Sequence, residues 1–229
     1  MILNKESFYI NESININEKK EKELAILFTD IVESSKAWNK HPAEMISIIE
    51  EQSILIDKWS KQNNGFICKT IGDAYMISFT DIKDAIKCGI DIQEDLINNP
   101  IKHKDFNLKL RIGIAFGPVY ESTVTLQNGI KLKDYFGNTV NTASRIESKV
   151  SDENGIAFSL LSENIKELNL DTLLKDYKVD LISFDNKKNN KVNRSERLLT
   201  DIHRYYHESI KDLKGIDKVD VYKLTLNKN

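Results

Sequence analysis

Leu24-Ala25-Ile26-Leu27-Phe28 is a short, almost wholly apolar run, and an apolar stretch of that length suits a central strand buried on both faces. It stops at Thr29-Asp30, and the polar turn Glu33-Ser34-Ser35 leads to a different period. Met45, Ile48, Ile49, Ile56 and Trp59 recur at spacings of three, four and seven, predicting an amphipathic helix over residues 43–61 that Asn63-Asn64-Gly65 ends. Two β-like runs follow, residues 66–71 and 74–79, and Gly72-Asp73 between them predicts a hairpin. Thr80-Asp81 offers an N-cap, after which Ile82, Ala85, Ile86, Gly89, Ile90, Leu96 and Ile97 trace the apolar face of a second helix. In the strand expected over residues 108–116, Leu110, Ile112 and Ile114 alternate with Lys109, Arg111 and Gly113. The order β-α-β-β-α-β is the ferredoxin-like arrangement, so the fold class expected is α+β with further C-terminal elements.

Beyond Phe136-Gly137-Asn138 the pattern predicts a helix over 139–150, a strand over 155–160, a short helix from Ser162 to Leu168, and two strands within 210–226 around Gly215. Residues 1–22 are polar and read as a solvated leader, leaving 23–229 as one domain. The Asn/Lys-rich stretch beginning at 185, taken as a variable insertion over 185–207, lacks periodicity and reads as surface.

Composition narrows the class. Of 229 residues 40% are apolar, and 33 Lys+Arg against 35 Asp+Glu leave a net charge of −2, so no basic excess favours a nucleic-acid partner. No apolar run approaches the ~20 residues of a membrane span, and no membrane insertion is expected. Cys68 and Cys88, in apolar surroundings, read as buried thiols of a reducing compartment, which points to a cytoplasmic protein.

Ferredoxin-like sheets host many functions, so chemistry must be sought in sites. Asp30 closes the first strand and Asp73 occupies the hairpin turn, and a β-α-β-β topology sets those two places side by side. Two convergent hard-oxygen ligands suit Mg²⁺ or Mn²⁺, with positions left for substrate phosphates; for Asp73 alone, a simple turn role is equally good. After Asp30 the chain turns with backbone N–H groups able to meet phosphate oxygens. On the 139–150 helix, Thr139, Ala143, Ile146 and Val150 share an inward face, while Asn141 and Arg145 are i,i+4 neighbours on another. An amide and a guanidinium projecting together can hold a ribose and a transferring phosphate; a solvated helix face is the plainer alternative.

Three segments then resemble, in order and spacing, the class III nucleotidyl cyclase catalytic domain. They are residues 27–31, Leu-Phe-Thr-Asp-Ile; residues 69–76, Lys-Thr-Ile-Gly-Asp-Ala-Tyr-Met; and residues 136–145, Phe-Gly-Asn-Thr-Val-Asn-Thr-Ala-Ser-Arg. The likeness runs over about residues 24–162, and stretches 26–42 and 134–148 are similar to trypanosomatid receptor-type adenylate cyclases. It implies that Asp30 and Asp73 bind two ions of Mg²⁺ or Mn²⁺, with Ile31 adding a backbone carbonyl. It implies that Asn141 positions the ribose, Arg145 stabilises charge on the α-phosphate, Arg111 contacts phosphates, and Lys214 holds the triphosphate tail. Lys69 and Asp134 match the pair with which adenylate cyclases read adenine, the cation meeting a ring nitrogen and the carboxylate the exocyclic amine. Guanylate cyclases typically carry Glu and Cys there, so this pair favours ATP.

With two ions lowering the pKa of the 3′-hydroxyl and clamping the α-phosphate, no His, Ser or Cys nucleophile is needed. The resemblance further implies a homodimer whose two sites are shared between chains. Departures lie in Tyr120-Glu121-Ser122, where many members have a small Ala-Gly pair, in the long 123–132 loop, and in the Asn/Lys-rich stretch. The expectation is a stand-alone adenylate cyclase domain making 3′,5′-cyclic AMP for intracellular signalling. Alternatives are a guanylate or pyrimidine nucleotide cyclase, or a non-catalytic nucleotide-binding or dimerisation module; a diguanylate cyclase lacks its Gly-Gly-Asp/Glu-Glu-Phe signature.

Overall fold

Alternate residues of the first apolar run enter different cores, which explains why the run is apolar throughout. In a computed structural model describing residues 21–125, 131–162, 170–185, 190–194 and 218–226, strand β1 (Glu21–Ile31) lies in mid-sheet. Ala25 and Leu27 pack with Met45 and Ile48 of helix α2 (Pro42–Gln62) and Ala85 and Ile86 of helix α3 (Ile82–Asn98). Leu24, Ile26 and Phe28 pack on the other face with Ala143 of helix α4 (Asn138–Lys149). Helix layers on both faces leave no polar position in the middle of the strand.

Helix α1 (Ser34–Lys40) follows β1 through Glu33, whose φ is 58°. The hairpin of β2 (Phe66–Ile71) and β3 (Ala74–Phe79) forms as the sequence predicts, with Gly72 at φ 64°, a left-handed conformation that favours glycine. Asp81 caps α3 by accepting from the Lys83 N–H at 2.8 Å. A small hairpin of β4 (Lys102–His103) and β5 (Phe106–Asn107) leads to β6 (Leu110–Thr125), antiparallel to β1. The core order β6-β1-β3-β2 is the ferredoxin-like one. Past it, β8 (Ile156–Leu160) joins β6 in parallel, and β11 (Lys218–Leu226), β9 (Tyr177–Asp185) and β10 (Asn190–Arg194) extend the sheet antiparallel; α5 (Asp171–Leu174) precedes β9.

The structure departs from the sequence reading in four places. β1 begins at Glu21, inside the charged run, because Lys22 pairs with Glu121 across β6 at 2.6 Å. β6 continues far beyond Phe116 and folds back through β7 (Lys131–Phe136), so much of the supposed long loop is a β-ribbon. Within the Asn/Lys-rich stretch, β10 is an edge strand, and an edge bonded on one side needs no apolar alternation. At the C-terminus, residues 218–226 are a single strand; the first of the two strands expected there, most of the helix expected over 162–168, and Lys214 lie outside the described residues. Among the described residues no helix is long and apolar enough to cross a membrane.

Candidate active site

Antiparallel pairing of β1 with β6 sets Asp30 directly opposite Arg111. Arg111 Nη2 donates to Asp30 Oδ2 at 2.7 Å, and each side chain keeps about a quarter of its exposure. Arg111 Nε also lies 3.1 Å from Oε1 of Glu147 on α4, an ion pair in which neither atom achieves a well-aligned hydrogen bond. Glu147 is buried there because Gly113 has no side chain: a Cβ at 113 would lie 2.2 Å from the Glu147 nitrogen and 2.5 Å from the Ala143 carbonyl oxygen. Burial and then the charge of Asp30 push the Glu147 carboxyl up to about 7; Arg111 opposes this, and Asp73 adds to it. Asp30, Asp73 and Glu147 thus form one electrostatic neighbourhood.

Asp73 is held at its turn by Gln52 of α2, whose buried side chain donates from Nε2 to the Asp73 carbonyl oxygen at 3.0 Å. The Asp73 Oδ2 atom is buried without a hydrogen-bond partner among the described residues. A buried carboxylate oxygen in that condition is costly unless a cation meets it. With Asp30 and the Ile31 carbonyl at the end of β1, the donors are all hard oxygens and fit Mg²⁺ or Mn²⁺. Among the described residues no group of three His, Cys, Asp or Glu side chains is placed to hold a metal ion by itself.

The base-reading pair assembles elsewhere. Lys69 Nζ donates to Asp134 Oδ2 at 2.6 Å, joining β2 to β7, and lies 5.6 Å from the Phe136 ring centroid. The register of β2 shifts between Ile67 and Lys69, an irregularity of the kind that re-aims side chains beside binding sites. Asp134 Oδ1 also accepts from the Tyr135 N–H at 2.8 Å.

On α4, Thr139, Ala143, Ile146 and Val150 are buried as their spacing predicts, and Thr139 donates to the Pro118 carbonyl oxygen at 2.7 Å. Asn141 and Arg145 are exposed. Two residues along a helix turn the side chain by about 200°, so Arg145 points away from the Glu147 face and from Asp30. The chain therefore carries three groupings: Asp30, Asp73, Arg111 and Glu147; Lys69 with Asp134; and Asn141 with Arg145. Sequence reading missed Glu147 and Gln52. The available signal for Glu147 was a carboxylate inside an apolar stripe, one place after Ile146, where only a buried partner makes it tolerable.

Residues 16–182 match the family described as the adenylate and guanylate cyclase catalytic domain. The chain belongs to this family. Among curated relatives of this cyclase domain, Schizosaccharomyces pombe adenylate cyclase is 26% identical over 222 residues, covering 88% of this chain and 12% of that protein. The soluble guanylate cyclase gcy-35 of Caenorhabditis elegans is 31% identical over 135 residues, covering 54% of this chain and 19% of that protein. The cyclase domain thus spans less than a fifth of either relative. Among solved structures, the guanylate cyclase domain of RhGC from Catenaria anguillulae, in complex with GTP, superimposes with a TM-score of 0.64 at 20% identity. The match covers 91% of this chain and all of that one, a likeness of fold. The relatives of this cyclase domain bear both nucleotide names.

Proposed function

We propose that this cyclase domain converts ATP to 3′,5′-cyclic AMP and pyrophosphate at sites shared between the chains of a homodimer. The observation that carries the reading is the Lys69–Asp134 contact at 2.6 Å, which puts a donor and an acceptor side by side from strands distant in sequence. Adenine offers an acceptor ring nitrogen next to a donor amine, the complement of that pair; guanine presents the reverse order.

Asp30, Asp73 and the Ile31 carbonyl would hold two divalent ions, which when bound would lower the pKa of the ribose 3′-hydroxyl and neutralise α-phosphate charge. Asn141 orients the ribose. Arg145, exposed and fork-shaped, meets charge on the α-phosphate oxygens as the 3′-oxygen bonds to phosphorus and the bond to the pyrophosphate oxygen breaks. The hydroxyl proton passes to solvent. Lys214 is assigned to the triphosphate tail, and Arg111 to the phosphate end of the site through its grip on Asp30. Sharing between chains is supported by the outward aim of Asn141 and Arg145 and by exposed Phe66, Ile71, Tyr120 and Phe136 around the Lys69–Asp134 pair. The unpaired thiols of Cys68 and Cys88 support a cytoplasmic setting.

Product analysis with all four nucleoside triphosphates and Mg²⁺ or Mn²⁺ tests the proposal. Cyclic AMP should dominate. Dominant cyclic GMP would overturn the base assignment, and ATP binding with Mn²⁺ but no pyrophosphate release would favour the non-catalytic reading.

A further inference from the structure

We propose that Glu147 is a positioning residue of the metal site: its buried carboxylate anchors Arg111 through Nε, so that Nη2 holds Oδ2 of Asp30 and the other carboxylate oxygen is left for the cation that would bind there. The proposal rests on the reading of Asp30 as a metal ligand.

Three elements converge to build this chain of contacts. β1 supplies Asp30, the facing register position of β6 supplies Arg111, and α4, let down onto β6 by Gly113, supplies Glu147. The distances are 2.7 Å from Nη2 to Oδ2 and 3.1 Å from Nε to Oε1. Nε and Oε1 are both buried with no other hydrogen-bond partner among the described residues, so each is the other's compensation. A guanidinium is a rigid plane, and holding it at Nε sets where its Nη2 can go. Without Glu147, Arg111 would be tethered only by the carboxylate it is meant to orient. Such outer contacts typically govern metal affinity by 10- to 100-fold.

This arrangement also gives α4 two tasks on opposite faces. Arg145 and Asn141 look outward, whereas Glu147 reaches Arg111 and, through it, Asp30 of its own chain. A change at Glu147 should therefore act on the metal end of the site and spare nucleotide recognition.

The test is Mn²⁺ titration of the purified protein without nucleotide, read by electron paramagnetic resonance of the free ion, with KM for ATP measured at saturating Mn²⁺ and pH 8. Glu147→Gln should raise the dissociation constant for Mn²⁺ about 10-fold, with KM changed less than about twofold. Arg111→Lys keeps the charge but lacks the fork, and should show a similar rise. The double variant should be no worse than either single one, as coupled residues are. An unchanged Mn²⁺ titration in Glu147→Gln, alongside lost binding in Asp30→Asn, would overturn the proposal; so would a double variant whose loss is the product of the single losses. If Asp30→Asn itself leaves Mn²⁺ binding intact, the metal reading fails and takes the proposal with it. Should Glu147→Gln melt below the assay temperature, Arg111→Lys reads the same anchor from its other side, and an unchanged titration there would overturn it equally.

Discussion

Glu147 titrates at about 7 in the folded chain against an ordinary 4.5, because burial and the charges of Asp30 and Asp73 outweigh Arg111. Between those values the unfolded chain has released its proton while the folded chain retains it. Glu147 therefore contributes stability that is complete below about pH 4.5, is lost as pH rises to about 7, and stays lost above. The magnitude is on the order of 3 kcal/mol for a shift of this size. Denaturant titrations in EDTA from pH 4.5 to 8 should show the wild type losing ground to Glu147→Gln by roughly that amount, then levelling off; a gap independent of pH would contradict this. Asp30, Asp73 and Lys69 stand out as candidates because short motifs carry them, and Asp134 because it lies two residues before one. Glu147 does not, since its partner Arg111 comes from a strand that periodicity alone cannot aim.

Helix α4 sits where it does because Gly113 leaves the face of β6 bare. Gly113→Ala would drive a methyl group into the Glu147 nitrogen and the Ala143 carbonyl oxygen, both backbone atoms that cannot rotate away. Overpacking of this kind costs about 1–3 kcal/mol or more. Thermal unfolding of Gly113→Ala should fall by several degrees, and its Mn²⁺ affinity should fall too as α4 lifts; a wild-type melt would refute the close-packing account. The β2–β3 hairpin was readable residue for residue, since Gly72-Asp73 is a local turn signal between two apolar runs. β7 was not: Lys131-Leu132-Lys133-Asp134 looks like loop because the ribbon is bonded through its backbone to the far half of β6. β10 escaped for a related reason, lying at the sheet edge where charged residues are protective.

In the whole molecule, the carboxylates and the outward residues of α4 face different ways, and the proposed homodimer is what would bring those of two copies together. Asp30→Ala and Arg145→Ala should each abolish cyclase activity. Mixed and reassociated, they should recover about a quarter of wild-type activity, since half the dimers would be hybrids with one intact site in two. Specific activity should also fall on dilution as dimers dissociate. No recovery on mixing would argue for a site complete within one chain.

By itself the sequence determined the ferredoxin-like order of strands and helices, the turn at Gly72-Asp73, the buried stripe of α4 and the three motifs that carry the family likeness. These are signals of period, punctuation and short-range spacing, and they survive without long-range contacts. Only the tertiary structure decided the register that sets Asp30 against Arg111, the meeting of Lys69 with Asp134, and the descent of Glu147 onto that arginine. The reason is physical: a slip of one residue between strands would turn every side chain to the other face, and nothing local in β1 or β6 records which partner atom lies opposite.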